Sequence, residues 1–248
     1  MSKVFLVTGG SRGIGAATVR LAALGGAHVV FTYRQAEAAA FALCAEVRAQ
    51  GGQVEALQAE MAEEADILRL FGEIDSRYGR IDVLVNNAGI AERQQRLVDM
   101  DILRLKRVFE TNIIGAMLCA REAVKRMSTR LGGRGGAIVN VSSAAARLGS
   151  PGEYVDYAAS KGALDTFTTG LAKEVALEGI RVNAVRPGLI YTDIHASYGD
   201  PTRVERLAHH VPMQRGGSAE EVAQAILWLA SDAASYCIGN FIDVSGGR

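Results

Sequence analysis

The sequence is short of several features that would assign it to a class at once. It has three cysteines, Cys44, Cys119 and Cys237, an odd number without C-x-x-C spacing, so neither a disulfide framework nor a cysteine metal site is written into it. Buried thiols in a reducing, cytoplasmic compartment are the expectation. Histidine is scarce too. His209 and His210 are adjacent, would point in different directions on a helix, and have no nearby carboxylate at ligand spacing, so no metal is assigned. Charge of one sign is not in excess, because Lys plus Arg and Asp plus Glu each number 27. No global positive field exists to recruit nucleic acid or an anionic membrane. The basic stretch at 125–136 reads as a solvated helix end and loop. No uncharged apolar run approaches the roughly 18 residues of a membrane span. The strand-like "KVFLVTG" begins at Lys3, which leaves no room for a signal peptide. With 49% apolar and 22% charged residues over 248 positions, the chain reads as ordinary soluble globular material with a sizeable core.

What is present is an alternation. Short β-branched runs at 4–9, 28–33, 53–58, 82–89, 137–143, 181–188 and 241–247 are separated by amphipathic stretches at 13–24, 36–50, 64–78, 98–131, 154–178 and 219–231. Strand, helix, strand, repeated, predicts an α/β fold with a parallel sheet and helices on both faces. Nothing resembles a linker, a low-complexity tract or a repeat, so residues 1–248 are read as one domain. The 98–131 stretch is long for one globular helix, and Asn112 with Gly115 near its middle predicts a local distortion. The least regular segment, 190–215, is the expected place for a substrate lid.

The first predicted strand runs directly into "TGGSRGIG" at 8–15, with Gly9, Gly13 and Gly15 before an amphipathic helix. Glycine there permits a tight turn, lets backbone N–H groups approach a pyrophosphate, and leaves the helix N-terminus free to face its charge. At the first strand-to-helix junction of such a pattern, this predicts a dinucleotide site that includes Ser11, Arg12 and Ile14.

A second constellation is "YVDYAASKGA" at 154–163. On a helix only side chains three or four apart share a face, so Tyr157 meets Lys161, whereas the residue four beyond Tyr154 is Ala158. Spacing therefore selects Tyr157 and gives Tyr154 no cationic partner. A phenol of unperturbed pKa about 10 would need roughly 4 kcal/mol of phenolate stabilisation to titrate near 7. A lysine ammonium within about 4 to 6 Å pushes that way, so a lowered Tyr157 pKa is expected.

Taken together, the G-x-x-x-G-x-G spacing, "NNAG" at 86–89, Asn112, "VSS" at 141–143, "YAASK" at 157–161 and "RPG" at 186–188 make the chain resemble the short-chain dehydrogenase/reductase family from end to end. The nearest likeness is to bacterial members labelled glucose-dehydrogenase-like or oxoacyl-carrier-protein-reductase-like. The resemblance implies a single Rossmann-type doubly wound domain with a seven-stranded sheet, a nicotinamide cofactor, and a catalytic set of Asn112, Ser143, Tyr157 and Lys161. Tyr157 would be the general acid/base, Lys161 would also bond the nicotinamide ribose, Ser143 would hold the substrate oxygen, and the Asn112 carbonyl would hold a water that relays protons to Lys161. Ser142 is an equally good hydroxyl by composition; the second serine matches the family pattern. The resemblance also places Asn87, Ala88 and Gly89 along ribose and phosphate, and Pro187, Gly188, Ile190 and Thr192 on the nicotinamide side. Glu60 and Met61 fall beside the adenine, where relatives usually carry Asp and an aliphatic residue.

Tyr33 followed by Arg34, where NAD-selective relatives place an acidic residue, together with Arg12, predicts that NADP is preferred and NAD possible. Fourteen positions separate Ser143 from Tyr157, one more than in many relatives, so the intervening loop is expected to reshape the pocket rim. The expected activity is hydride transfer between nicotinamide and a carbonyl or secondary alcohol carbon. Glu92, Arg93, Arg147, His195, Tyr198 and His209 are the expected pocket residues and favour a small, polar substrate, a sugar or other hydroxylated compound being one example. The small residues Ala158, Ala159, Gly162 and Ala163 on the catalytic helix, with the family's habit of pairing it across two-fold axes, predict a homotetramer. A catalytically silent NADP-binding regulator is the alternative, although its expected mark, loss of Tyr157 or Lys161, is absent. Related enoyl reductases space the tyrosine and lysine seven apart, not four.

Overall fold

The computed structural model describes residues 2–194 and 199–248. Seven strands, β1 (Val4–Val7), β2 (His28–Tyr33), β3 (Gln53–Gln58), β4 (Val83–Asn86), β5 (Gly136–Val141), β6 (Ile180–Pro187) and β7 (Phe241–Val244), form one sheet in the order β3-β2-β1-β4-β5-β6-β7. Every pairing is parallel. The connecting helices are α1 (Gly13–Leu24), α2 (Glu37–Ala49), α3 (Glu64–Tyr78), α4 (Ile102–Phe109), α5 (Gly115–Met127), α6 (Ala145–Leu148), α7 (Val155–Val175), α8 (Arg203–Leu207) and α9 (Ala219–Ala230).

Central strands such as β1, and β4 up to its final Asn86, are apolar because both their faces are covered. Phe5 and Val7 pack with α1, α2 and α9 through Val19, Leu43 and Ile226. Val4 and Leu6, on the opposite face, pack with α3, α5 and α7 through Ile67, Phe71, Ala123 and Val175. The strand order reverses at β1, which has β2 on one side and β4 on the other. At such a reversal the βα loops diverge and open a crevice at the carboxyl ends of the strands.

The long helical stretch breaks as its composition predicts. A 3₁₀ turn at Leu97–Asp99 and α4 lead into a π-helical turn, Glu110–Ile114, before α5. Asn112 lies in that turn and its amide bonds leave the helix: Nδ2 donates to the Ile90 carbonyl at 2.9 Å, and Oδ1 accepts from Ile90 N at 2.8 Å. Bonding to the loop after β4 holds the widened turn against the strand end that carries the site.

Candidate active site

The glycine turn is built by contacts between the ends of β1 and β4. Thr8 Oγ1 accepts from Asn87 N at 3.0 Å and Ala88 N at 2.9 Å, and Asn87 Nδ2 donates to the carbonyls of Thr8 and Gly9. A Cβ on Gly15 would lie 2.4 Å from Gly9 O and 2.6 Å from Asn87 Nδ2, so only glycine lets α1 begin there. Helix α1 has no side-chain cap and no acidic residue in its first turn. Its N-terminal N–H groups and positive dipole end are left for an external anion, which is how a pyrophosphate is held.

Above these strand ends lies a cleft of about 900 Å³. It is continuous from Tyr33, Arg34, Glu60 and Met61, past Gly9, Ser11, Arg12, Gly13, Ile14 and Asn87 to Gly89, to Ser143, Tyr157 and Lys161, with Pro187, Gly188, Ile190 and Thr192 on the far wall. Two expected residues do not line it. Gly15 is buried beneath the turn and acts through space it leaves free, and Asn112, 1% exposed, lies behind Gly89. A Cβ at Gly89 would come within 3.3 Å of both Asn112 Oδ1 and Lys161 Nζ, so glycine keeps this wall thin. The extended shape, the uncapped helix end and the glycine cradle fit a dinucleotide.

Helix α7 begins at the Tyr154 N-cap and carries Asp156 in its first turn, a charge favourable to the dipole. Tyr157 and Lys161 lie one turn apart, with Lys161 Nζ 5.7 Å from the Tyr157 ring centroid. Lys161 Nζ donates to the Val141 carbonyl at 2.8 Å, which fixes it at the end of β5. The two serines separate cleanly. Ser142 is buried and its hydroxyl donates to the Lys161 carbonyl at 3.3 Å, whereas Ser143 Oγ accepts from Ala145 N at 3.1 Å, lines the cleft beside Tyr157 and acts to lower the Tyr157 pKa. Asn112 Nδ2 donates to Ser160 Oγ at 3.0 Å, and that hydroxyl donates to the Tyr157 carbonyl, so the π-turn braces α7.

The expected lowering of the Tyr157 pKa is not produced by the protein's own groups. Burial pushes the phenol above its ordinary value, opposed by Ser143, and burial also pushes Lys161 down to about 8 against the raising effect of Asp165. Desolvation is the largest cause at both groups.

The substrate end departs further from expectation. Of the expected pocket residues, Glu92, Arg93, Arg147 and His209 do not line the cleft, and His195 and Tyr198 lie outside the described residues. Glu92 pairs with Arg107 at 2.8 Å, and Arg147 pairs with Asp243 at 3.2 Å. The rings of His209 and His210, in a 3₁₀ turn, lie with centroids 3.9 Å apart and planes tilted by 42°, instead of diverging. The wall is made instead by Ala91, Leu148, Ser150, Pro151, Glu153, Tyr154, Leu189, Ile194, Arg203 and Leu207. The loop between Ser143 and Tyr157 contributes α6 and then folds back over the cleft through positive-φ Gly149 and Ser150.

Tyr154 does have a cationic partner, contrary to its spacing. The Arg203 guanidinium stands 5.1 Å over its ring and donates to Glu153 at 2.6 and 3.0 Å. Arg203 and Tyr154 together hold the Glu153 carboxyl below its ordinary pKa. No sequence signal pairs residues 50 positions apart. A second such link is Arg104, 4% exposed, which forks onto Asp156 at 2.8 and 3.2 Å and donates to the Arg93 carbonyl and Gln95 Oε1.

Comparison with known proteins places this architecture among relatives. The model of a family described as "Enoyl-(Acyl carrier protein) reductase" matches residues 9–248. The chain is 56% identical to the uncharacterized oxidoreductase YgfF of Escherichia coli K12 over 99% of each chain. It is 40% identical to a 3-oxoacyl-[acyl-carrier-protein] reductase of Synechocystis sp., over 99% of this chain and 96% of the relative. Among solved structures, a blue fluorescent protein from a metagenomic library in complex with NADPH superposes with a TM-score of 0.89 at 34% identity, covering 99% of this chain and 97% of that one.

Proposed function

The chain belongs to the short-chain dehydrogenase/reductase family, and from that premise we propose that it transfers a hydride between a nicotinamide cofactor and the carbonyl or secondary alcohol carbon of a small substrate, with Tyr157 as general acid/base. The observation that carries this reading is the Ser143–Tyr157–Lys161 cluster at the end of a cleft shaped for a dinucleotide. When bound, the nicotinamide supplies or accepts the hydride. The protein's part is to hold the substrate oxygen between the Ser143 and Tyr157 hydroxyls and to move one proton at that oxygen. Burial keeps Tyr157 protonated, which suits donation to a carbonyl during reduction. Lys161, cationic below about pH 8, stabilises the phenolate left behind. Asn112 positions the helix through Ser160, and its carbonyl is proposed to hold the relay water. The four-residue spacing of Tyr157 and Lys161 favours carbonyl over enoyl reduction.

NADP is the proposed preference, supported by Arg12 and Arg34 at the adenosine end and by the NADPH complex of a structural neighbour. The substrate is proposed to be small with one polar end: Leu148, Leu189 and Leu207 supply apolar wall, and Glu153, Ser150 and Arg203 supply polarity. Residues 190–215 are proposed as the lid. A cytoplasmic homotetramer is proposed as well; exposed apolar side chains on α4, the π-turn and α5, including Ile102, Leu103, Ile114 and Met117, suit burial against other copies. The test is a panel of ketones, sugars, polyols, 3-oxo esters and thioester-linked ketones, followed by cofactor absorbance with both nicotinamides. Turnover of at least one member, faster with NADPH, is expected. Tight NADPH binding with no turnover across the panel would favour the silent regulator.

A further inference from the structure

Glu60 is the residue that the dinucleotide reading leaves unexplained. Its side chain turns toward the charge that the NADP reading depends on. Arg34 is one residue past β2 and Glu60 two past β3, adjacent strands whose ends are tied by Ala59 N to the Tyr33 carbonyl at 3.0 Å and by Gln58 Nε2 to the Arg34 carbonyl at 3.0 Å. In this frame Arg34 Nε forms an ion pair with Glu60 Oε2. The other carboxylate oxygen, Oε1, accepts from Ala62 N at 3.3 Å, and Glu60 N donates to Asp66 Oδ2 at 2.8 Å, so Glu60 is held in place from both sides. The Arg34 side chain is 60% exposed and Glu60 25% exposed, so the more tethered partner is the carboxylate.

We propose that Glu60 is a specificity-determining residue that weakens the selection of a ribose 2′-phosphate by standing as the resident counter-charge of Arg34. The proposal rests on the reading that Arg34 meets the 2′-phosphate. A phosphate dianion that reaches Arg34 must share the guanidinium with a fixed carboxylate and approach that carboxylate's charge, whereas a ribose hydroxyl meets no such repulsion. Glu60 therefore narrows the gap between the two nicotinamide cofactors without touching the reacting end. An exposed pair of this kind has a modest, salt-sensitive effect.

The experiment is calorimetric binding of adenosine 2′,5′-bisphosphate and 5′-AMP, which differ only in the 2′-phosphate, to the full chain. In Glu60→Gln, which keeps an oxygen for Ala62 N, the ratio of the two affinities is expected to rise about two- to fivefold at low salt. The rise should shrink at high salt. In Arg34→Ala the ratio should fall, and adding Glu60→Gln to that background should produce no rise. A Glu60→Gln ratio that is unchanged or lower, in protein with an unaltered melting temperature, overturns the proposal. So does a gain that persists in full without Arg34. If Arg34→Ala leaves the ratio untouched, the NADP reading itself fails, an outcome distinct from failure of Glu60→Gln alone.

Discussion

The two ends of the cleft are held together by different means. At the pyrophosphate end the holding is local to the strand ends: the parallel ladder places Val7 beside Val85, and Thr8, Gly9 and Asn87 are tied by short bonds, each with a main-chain atom on one side. At the substrate end the work passes to long side chains. Arg104 joins α4 to α7 through Asp156, and Arg203 joins the α8 segment to the Glu153 loop. A cofactor end tied to backbone tolerates little chemical variation, while a rim made of ion pairs can be rebuilt by exchanging side chains. One scaffold can thereby keep its cofactor and change its substrate.

The strongest way to break this comparison is to cut a rim link. In Arg104→Met the Asp156 carboxylate, fully buried, is left without its guanidinium, and a loss of about 3–5 kcal/mol in unfolding free energy is expected from urea titration. A loss under about 1 kcal/mol would mean that the rim does not depend on this pair. The matching cut at the cofactor end is Gly15→Ala, whose methyl meets Gly9 O and Asn87 Nδ2. About 1–3 kcal/mol of strain is expected, read as at least a severalfold weaker NADPH affinity by fluorescence titration.

The contrast also explains what the sequence reveals. Glycines at 9, 13 and 15, the alternating apolar runs and the Tyr157–Lys161 spacing are local signals, because each reports a backbone requirement within a few residues. They locate β2, β3, α1 and α3 to the residue, and the π-turn was foreshadowed by Asn112 and Gly115. The rim is not local. Arg203 meets Glu153 across 50 positions, and the cationic partner of Tyr154 comes from that same contact, so counting along one helix misses it. The direction of the Tyr157 pKa failed for a related reason. Spacing reports which groups are neighbours, but burial, which dominates here, is a property of the assembled fold.

Smaller cuts sharpen the distinction. Arg203→Met leaves Glu153 without its charged donor, and the expected result is a rise in substrate KM of about tenfold or more, in line with about 1.5–3 kcal/mol for such bonds, with NADPH affinity unchanged. Tyr154→Phe keeps the ring beneath Arg203 and removes only the hydroxyl facing Glu153, so a rise of severalfold at most is expected. A change in NADPH affinity in either variant would mean that the two ends are not independent.

The pH dependence follows from the two shifts at the centre. Reduction needs Tyr157 protonated and Lys161 cationic; burial raises the first group and lowers the second to about 8. Carbonyl reduction should therefore hold steady below about pH 8 and decline as pH rises through it, while alcohol oxidation, which needs the phenolate, should keep rising on the alkaline side. Reduction that peaks well above pH 8 would contradict the assignment of Lys161.

The most direct test of the central claim is Tyr157→Phe, a change of one oxygen, with turnover and NADPH binding measured on the same preparation. If Tyr157 carries the proton, kcat falls by about 10²- to 10⁴-fold while NADPH affinity stays within a few-fold of the parent. Retention of more than about a tenth of the parental kcat, with binding intact, would contradict it.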